Sequence, residues 1–217
     1  YIAGPFCGML LGDMGAEVIR IDKLSGSEDR YLVPVAESGE GPLFLALNRN
    51  KKSLTLNPMK PKGREIVENL VKTADIVIAN LPQPTLEAMG IDYDSLRAIK
   101  PDIILTTVTA YGNGGPYSER VGFDGVAQAL AGATYMGGRP GDPMKSFVPF
   151  ADFGTATMAA FGTLSALIER NKTGNGQLVE AALTRTVMTF NIALLAEEAI
   201  KSIDRPSYGN RGYSAGP

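Results

Sequence analysis

Asp152 heads the stretch "ADFGTATMAAFGTLSALIERNKTGNGQ" (151–177), a long segment rich in alanine, glycine and threonine. An aspartate in front of such a helical segment is a preferred N-cap, because its carboxylate accepts the unpaired N–H groups of the first turn. The same position suits a second role. The positive end of a helix favours the ionised form, and an ionised carboxylate beside small residues can approach a bulky electrophile as a covalent nucleophile. Asp124, in "VGFDGVAQ" (121–128), leaves a similar choice open between capping the helix that follows and hydrogen-bonding a ligand. "NRNKKS" (48–53) gathers Arg49, Lys51 and Lys52 ahead of a strand. It reads as a solvated turn or as a patch facing the phosphates of a large anionic cofactor.

Absent residue types narrow the chemistry. The chain of 217 residues has no histidine and a single cysteine, Cys7. Within it a Ser-His-Asp triad, a Cys-His pair and a histidine-ligated zinc site are excluded, and one thiol cannot build a thiolate metal cluster. No metal is therefore expected, and acid–base or nucleophilic work falls to Asp, Glu, Lys, Tyr, Ser, Thr or Cys7. With no intrachain disulfide possible, the expected setting is reducing and cytoplasmic. Apolar residues make up 44% and charged residues 20%, with a net charge of −2. That balance suits an ordinary globular protein and points to neither a nucleic-acid nor a membrane surface. No run of about 18 residues is apolar without a break, so no membrane span is expected.

The elements that must position these residues follow from periodicity. Residues 5–15 read as a short apolar helix with Pro5 in its first turn, 17–21 as a strand, and 22–52 as a polar loop. A strand at 53–57, an amphipathic helix at 61–74 and an apolar strand at 75–80 come next. Short helices at 84–90 and 93–100 lead to a strand at 102–110. This order predicts an α/β fold: a Rossmann-like, doubly wound parallel sheet with helices on both faces. Ligands of such sheets sit at the carboxyl ends of the strands, here beside Lys23, Asn57 to Lys60, Asn80 and the "YGNGGP" loop (111–116). That loop does not fit a dinucleotide fingerprint, because Pro116 and "YSER" interrupt the expected helix start; it reads as a mobile loop beside the site. Beyond it, 123–138 reads as one helix, 139–146 as a turn, 152–171 as a long helix stopped by "NKTGNG", 177–183 as a strand and 184–200 as a final helix. The opening "YIAGPF" and the loop-like close "YGNRGYSAGP" read as the ends of a fragment.

"AGPFCGMLLGDMGAEVIRID", "NRNKKSLTLN", "DIVIANLPQPTLEAMG", "AYGNGGP", "GFDGVAQALAG" and "ADFGTATMAAFGTLSALIERNKTGNGQ" occur in this order along nearly the whole chain. The ordered set resembles class III CoA-transferases of the formyl-CoA and carnitine CoA-transferase type, to which alpha-methylacyl-CoA racemases are related. The resemblance implies the N-terminal part of a large CoA-binding domain over 1–200 and the start of a linker to a second domain over 201–217. It implies coenzyme A and acyl-CoA as substrates, a carboxylic acid as acceptor, and an interlocked homodimer in the full-length form. It also implies that Asp152 is the nucleophile of a covalent aspartyl mechanism. Positions matching the family's CoA contacts are Ala3, Lys23, Leu56, Asn57, Lys60, Asn80, Leu81, Met89, Phe123 and Asp124, whereas Ala88 stands where the family has an arginine. Racemases of the family carry a histidine where this chain has Phe123. A racemase needs a proton carrier on each face of the α-carbon, so transfer is favoured over 2-methylacyl-CoA racemisation. A non-catalytic CoA-binding fragment is the other alternative.

Overall fold

The structure is a computed structural model that describes residues 1–209 and 211. Of the expected linker, residues 210 and 212–217 lie outside the described residues. The order of elements is α1 (Ala3–Asp13), β1 (Val18–Asp22), a single 3-10 turn (Glu28–Tyr31), α2 (Pro42–Leu47), β2 (Lys51–Thr55), α3 (Pro61–Val71), β3 (Ile76–Ala79), α4 (Gln83–Met89), α5 (Tyr93–Ile99), β4 (Ile104–Thr109), α6 (Asp124–Leu130), α7 (Ala133–Gly137), α8 (Phe150–Thr173), β5 (Leu178–Ala182), α9 (Leu183–Phe190) and α10 (Ile192–Lys201).

All strand pairs are parallel, as expected of an α/β fold, but the strands form two sheets. One holds β1 and β2, with Val18 opposite Lys51 and Asp22 opposite Thr55. The other has the order β3-β4-β5. Side chains alternate across this second sheet. Val77, Ala79 and Leu105 face one apolar cluster with Leu86 and Leu96, from α4 and α5, and Val67 and Val71, from α3. Ile78 and Val108 face the other cluster, built from Cys7 and Leu11 of α1, Ala127 of α6 and the alanines of α8. Helices thus cover both faces. Leu86, Leu96, Ile103 and Leu105 are fully buried, each contributing about 2 kcal/mol by leaving water.

Three sequence expectations are corrected. The stretch expected to be a loop to residue 52 contains the 3-10 turn and α2, and β2 begins at Lys51, two residues earlier than expected. The helix expected over 123–138 is two, because Gly132 adopts φ 81°, a left-handed conformation that ends α6 at little cost only for glycine. The expected final helix is also two. At the break, the Asn191 side-chain amide donates to the Ala131 carbonyl at 2.9 Å, satisfying an acceptor left free at the end of α6.

Candidate active site

The first turn of α8 decides the role of Asp152. The N-cap position is Pro149, which offers no side-chain acceptor, so the free N–H groups of that turn need one from elsewhere. Asp124, the first residue of α6, supplies it: Oδ2 accepts from the Ala151 N–H at 2.8 Å and from the Asp152 N–H at 3.1 Å. Its other oxygen, Oδ1, accepts from the Gln128 side-chain amide. The Gln128 carbonyl oxygen accepts from the Ser146 N–H at 2.8 Å. The cap reading of Asp152 is therefore corrected: Asp152 lies inside the first turn, and Asp124 caps α8 from another helix. Asp124, expected to face a ligand, has turned both oxygens to protein donors.

Asp152 is left with a half-buried carboxylate. Burial pushes it up to about 6, the negative charge of Asp124 pushes the same way, and the amino end of the chain opposes both. The helix end was expected to keep it ionised; burial beside a second carboxylate nonetheless raises it. It is still mostly ionised at neutral pH. The small residues behind it do not make room for a ligand either. Ala151, Ala156, Ala159 and Ala160 are buried in the core, and a Cβ at Gly154 would come within 2.7 Å of the Phe190 ring. They let α1 and α9 pack closely on α8, with the Phe6 and Phe153 rings 4.9 Å apart, edge to face.

The other expected positions fall into connected groups. Ala3 is buried at the start of α1, and a Cβ on its neighbour Gly4 would lie 3.1 Å from Asn80 Cβ. Asn80, just beyond β3, donates its amide to the Val108 carbonyl. Phe123 is exposed and packs edge to face on the Tyr1 ring at 6.0 Å. Lys23, whose charge is favoured chiefly by its pairing with Glu28, is within electrostatic reach of the Tyr1 side chain. Lys23, Leu56 and Asn57 follow the aligned ends of β1 and β2, where the Leu56 N–H donates to the Asp22 carbonyl at 3.0 Å. Leu56 is buried, with Leu81 packed against the same cluster. Lys60 is the exposed residue before α3, and half-buried Met89 ends α4. A line of positions thus runs along the carboxyl ends of the strands, from Lys23 past Tyr1 and Phe123 to Asp152.

The "NRNKKS" patch is not on that line. It opens β2, at the amino ends of the strands, and its cations are engaged. Arg49 pairs with Asp13, and Lys52 with Glu17 at 2.8 Å. Lys51 Nζ donates to the carbonyls of Pro5 and Leu47, both at 2.7 Å, and to Asn48 Oδ1 at 2.8 Å. Sequence reasoning missed Gln128 and Arg64. Gln128 stands four residues after Asp124, on one helix face, and that spacing was a readable signal. Arg64, on α3, donates to the Ala88 carbonyl at 2.8 Å and so brings a guanidinium to the place where the resemblance implied a missing arginine. Only the packing of α3 against α4 reveals it.

A family model described as CoA-transferase family III matches residues 1–217. The chain belongs to this family. Among curated relatives it is 38% identical to the human succinyl-CoA:glutarate CoA-transferase over 184 residues, which is 84% of this chain and 42% of the relative. It is 34% identical to a succinyl-CoA–D-citramalate CoA-transferase of Chloroflexus aurantiacus over 212 residues, 97% of this chain and 53% of the relative. Among solved structures, a CAIB/BAIF family protein from Brucella suis superposes with a TM-score of 0.90 at 34% identity, over 96% of this chain and 57% of that one. The chain therefore spans about half the length of the relatives it matches. Among the described residues, no helix is long and apolar enough to cross a membrane.

Proposed function

We propose that this protein moves CoA from an acyl-CoA thioester to a carboxylic acid, with Asp152 as the covalent nucleophile. The observation that carries the reading is the state of Asp152: a half-buried carboxylate on the first turn of α8, relieved of capping by Asp124. In the proposed sequence an Asp152 oxygen attacks the thioester carbonyl, forming a mixed anhydride and releasing CoA thiolate. The thiolate attacks the aspartyl carbonyl, which yields an aspartyl-CoA thioester and frees the donor acid. The acceptor carboxylate attacks that thioester to form a second anhydride and again releases the thiolate. The thiolate then takes the new acyl group, and Asp152 is regenerated as a carboxylate. Each step exchanges one acyl bond for another, so one difficult transfer becomes a series of easier ones.

The line along the strand ends supplies the cofactor contacts. Lys23 and Lys60 would face the adenosine phosphate, Leu56 and Asn57 the adenine, and Asn80, Leu81 and Met89 the neighbouring phosphate region. Ala3 would offer its backbone, and Phe123 the surface for the pantetheine. The names of the relatives make succinyl-CoA the first donor to assay and small dicarboxylates such as glutarate the first acceptors. A cytoplasmic, homodimeric enzyme is the working arrangement.

Asp152→Ala in the full chain should lower transfer at least ~10³-fold with the fold intact by circular dichroism, the scale expected for loss of an essential nucleophile. Hydroxylamine added with donor acyl-CoA should convert Asp152 to its hydroxamate, read by mass spectrometry. Retained transfer in the alanine variant, or exchange of the α-proton of a 2-methylacyl-CoA without any acceptor acid, would overturn the reading.

A further inference from the structure

Gln128, near the candidate nucleophile, has none of its surface exposed, and each end of its amide is used. The NH₂ end donates to Asp124 Oδ1, and the carbonyl end accepts from the Ser146 N–H at 2.8 Å. Asp124 then has only its second oxygen free to point at α8, and that oxygen meets the N–H groups of Ala151 and Asp152. Each donor and acceptor is thus fixed: the Ser146 N–H donates to Gln128, Gln128 donates to Asp124, and Asp124 accepts from the backbone N–H of the residue proposed to attack. Ser146 belongs to the segment that joins α7 to α8. One amide therefore ties the approach to the nucleophile and the cap beneath it to a single helix, α6.

We propose that Gln128 is a positioning residue for Asp152, acting through Asp124 to hold the first turn of α8 in the geometry from which the carboxylate attacks. The proposal rests on the reading of Asp152 as nucleophile. Its physical basis is that a fully connected buried polar network has one arrangement of donors and acceptors, whereas breaking one link leaves the others unpaired.

That directionality supplies the test. In Gln128→Met the volume remains and both hydrogen bonds go. In Asp124→Asn, if the oxygen keeps the α8 N–H groups, the new NH₂ confronts the NH₂ of Gln128. In the double variant, Asp124→Asn with Gln128→Glu, the polarity is consistent again. The amide introduced at position 124 would donate to the carboxylate introduced at position 128, whose other oxygen would accept from the Ser146 N–H. The full chain and these variants are compared in two ways: steady-state transfer from succinyl-CoA, and amide hydrogen exchange at Ala151 and Asp152. The expected result is a loss of kcat of about ten-fold or more in each single variant, with KM for the thioester changed less than about three-fold. Amide exchange at the two positions should be faster in both, and the double variant should recover kcat and protection to above either single variant. A Gln128→Met protein with parental kcat and unchanged amide protection would overturn the proposal, as would a double variant no better than Asp124→Asn alone. Exchange needs no turnover. If exchange follows the pattern while Asp152→Ala still transfers CoA, the proposed function fails and the capping relay stands.

Discussion

Two regions of this molecule that hold buried carboxylates treat them in opposite ways. Around Arg20, in the middle of β1, Asp22 and Asp29 are both buried and both paired. Arg20 donates to both oxygens of Asp22, to both of Asp29 and to Asn48 Oδ1 at 2.7 Å, while its guanidinium lies 5.0 Å from the Phe44 ring centroid. At the head of α8, Asp124 and Asp152 stand near each other, and among the described residues no cation forms an ion pair with either. Asp124 is satisfied by neutral donors alone, and Asp152 is pushed up to about 6. The contrast separates structure from chemistry. A carboxylate saturated with cationic donors is held in place and is a poor nucleophile. A carboxylate left beside another, with its backbone pinned, is fixed in position and still reactive.

The largest effect on stability should come from breaking the saturated region. Arg20→Ala would leave Asp22 and Asp29 buried without their main partner, a loss of about 3–5 kcal/mol visible in urea denaturation. Arg20→Lys should recover less than half, because a point charge cannot serve both carboxylates in the fork geometry of a guanidinium. A full recovery by lysine would show that only the charge matters there.

Bringing the open region closer to the saturated one should change its pH response. Asp152 is ionised above its raised value, so the rate of the proposed covalent step should rise through about pH 6 and level off above it. Asp124→Asn removes the neighbouring negative charge, favours the ionised form, and should shift the rising limb to lower pH even while the plateau falls. A limb that stays in place would mean that burial alone, and not Asp124, sets the value. The smallest effect belongs to the exposed Lys23–Glu28 pair. Surface pairs of this kind contribute little because water and salt screen them, so Lys23→Ala should leave stability nearly unchanged. It should weaken CoA by several-fold and dephospho-CoA less, measured by calorimetry. Equal losses would remove Lys23 from the phosphate contact.

Much of the fold was legible. Among the described residues each strand was placed to within about two residues, and the apolar, β-branched runs of β3 and β4 were the clearest, because an apolar strand buried between helices tolerates little else. The stop of α8 was legible at Gly174, whose N–H closes the last turn on the Arg170 carbonyl at 2.7 Å. The helix α2 was not, since a polar, proline- and glycine-rich neighbourhood hides six residues that become helical by packing. The break at Asn191 was hidden for a related reason: its partner, the Ala131 carbonyl, is distant in sequence.

The sequence by itself determined the alternation of strands and helices, the lack of a histidine in these 217 residues, and the place of Asp152 at the head of a small-residue helix. Local pattern and composition carry those facts. Only the tertiary structure decided what Asp152 is free to do. Its role depends on which carboxylate caps α8, and that hydrogen bond spans 28 residues of chain between α6 and α8. Capping is a matter of which acceptor reaches the first-turn N–H groups, and no local spacing records an acceptor delivered by another helix.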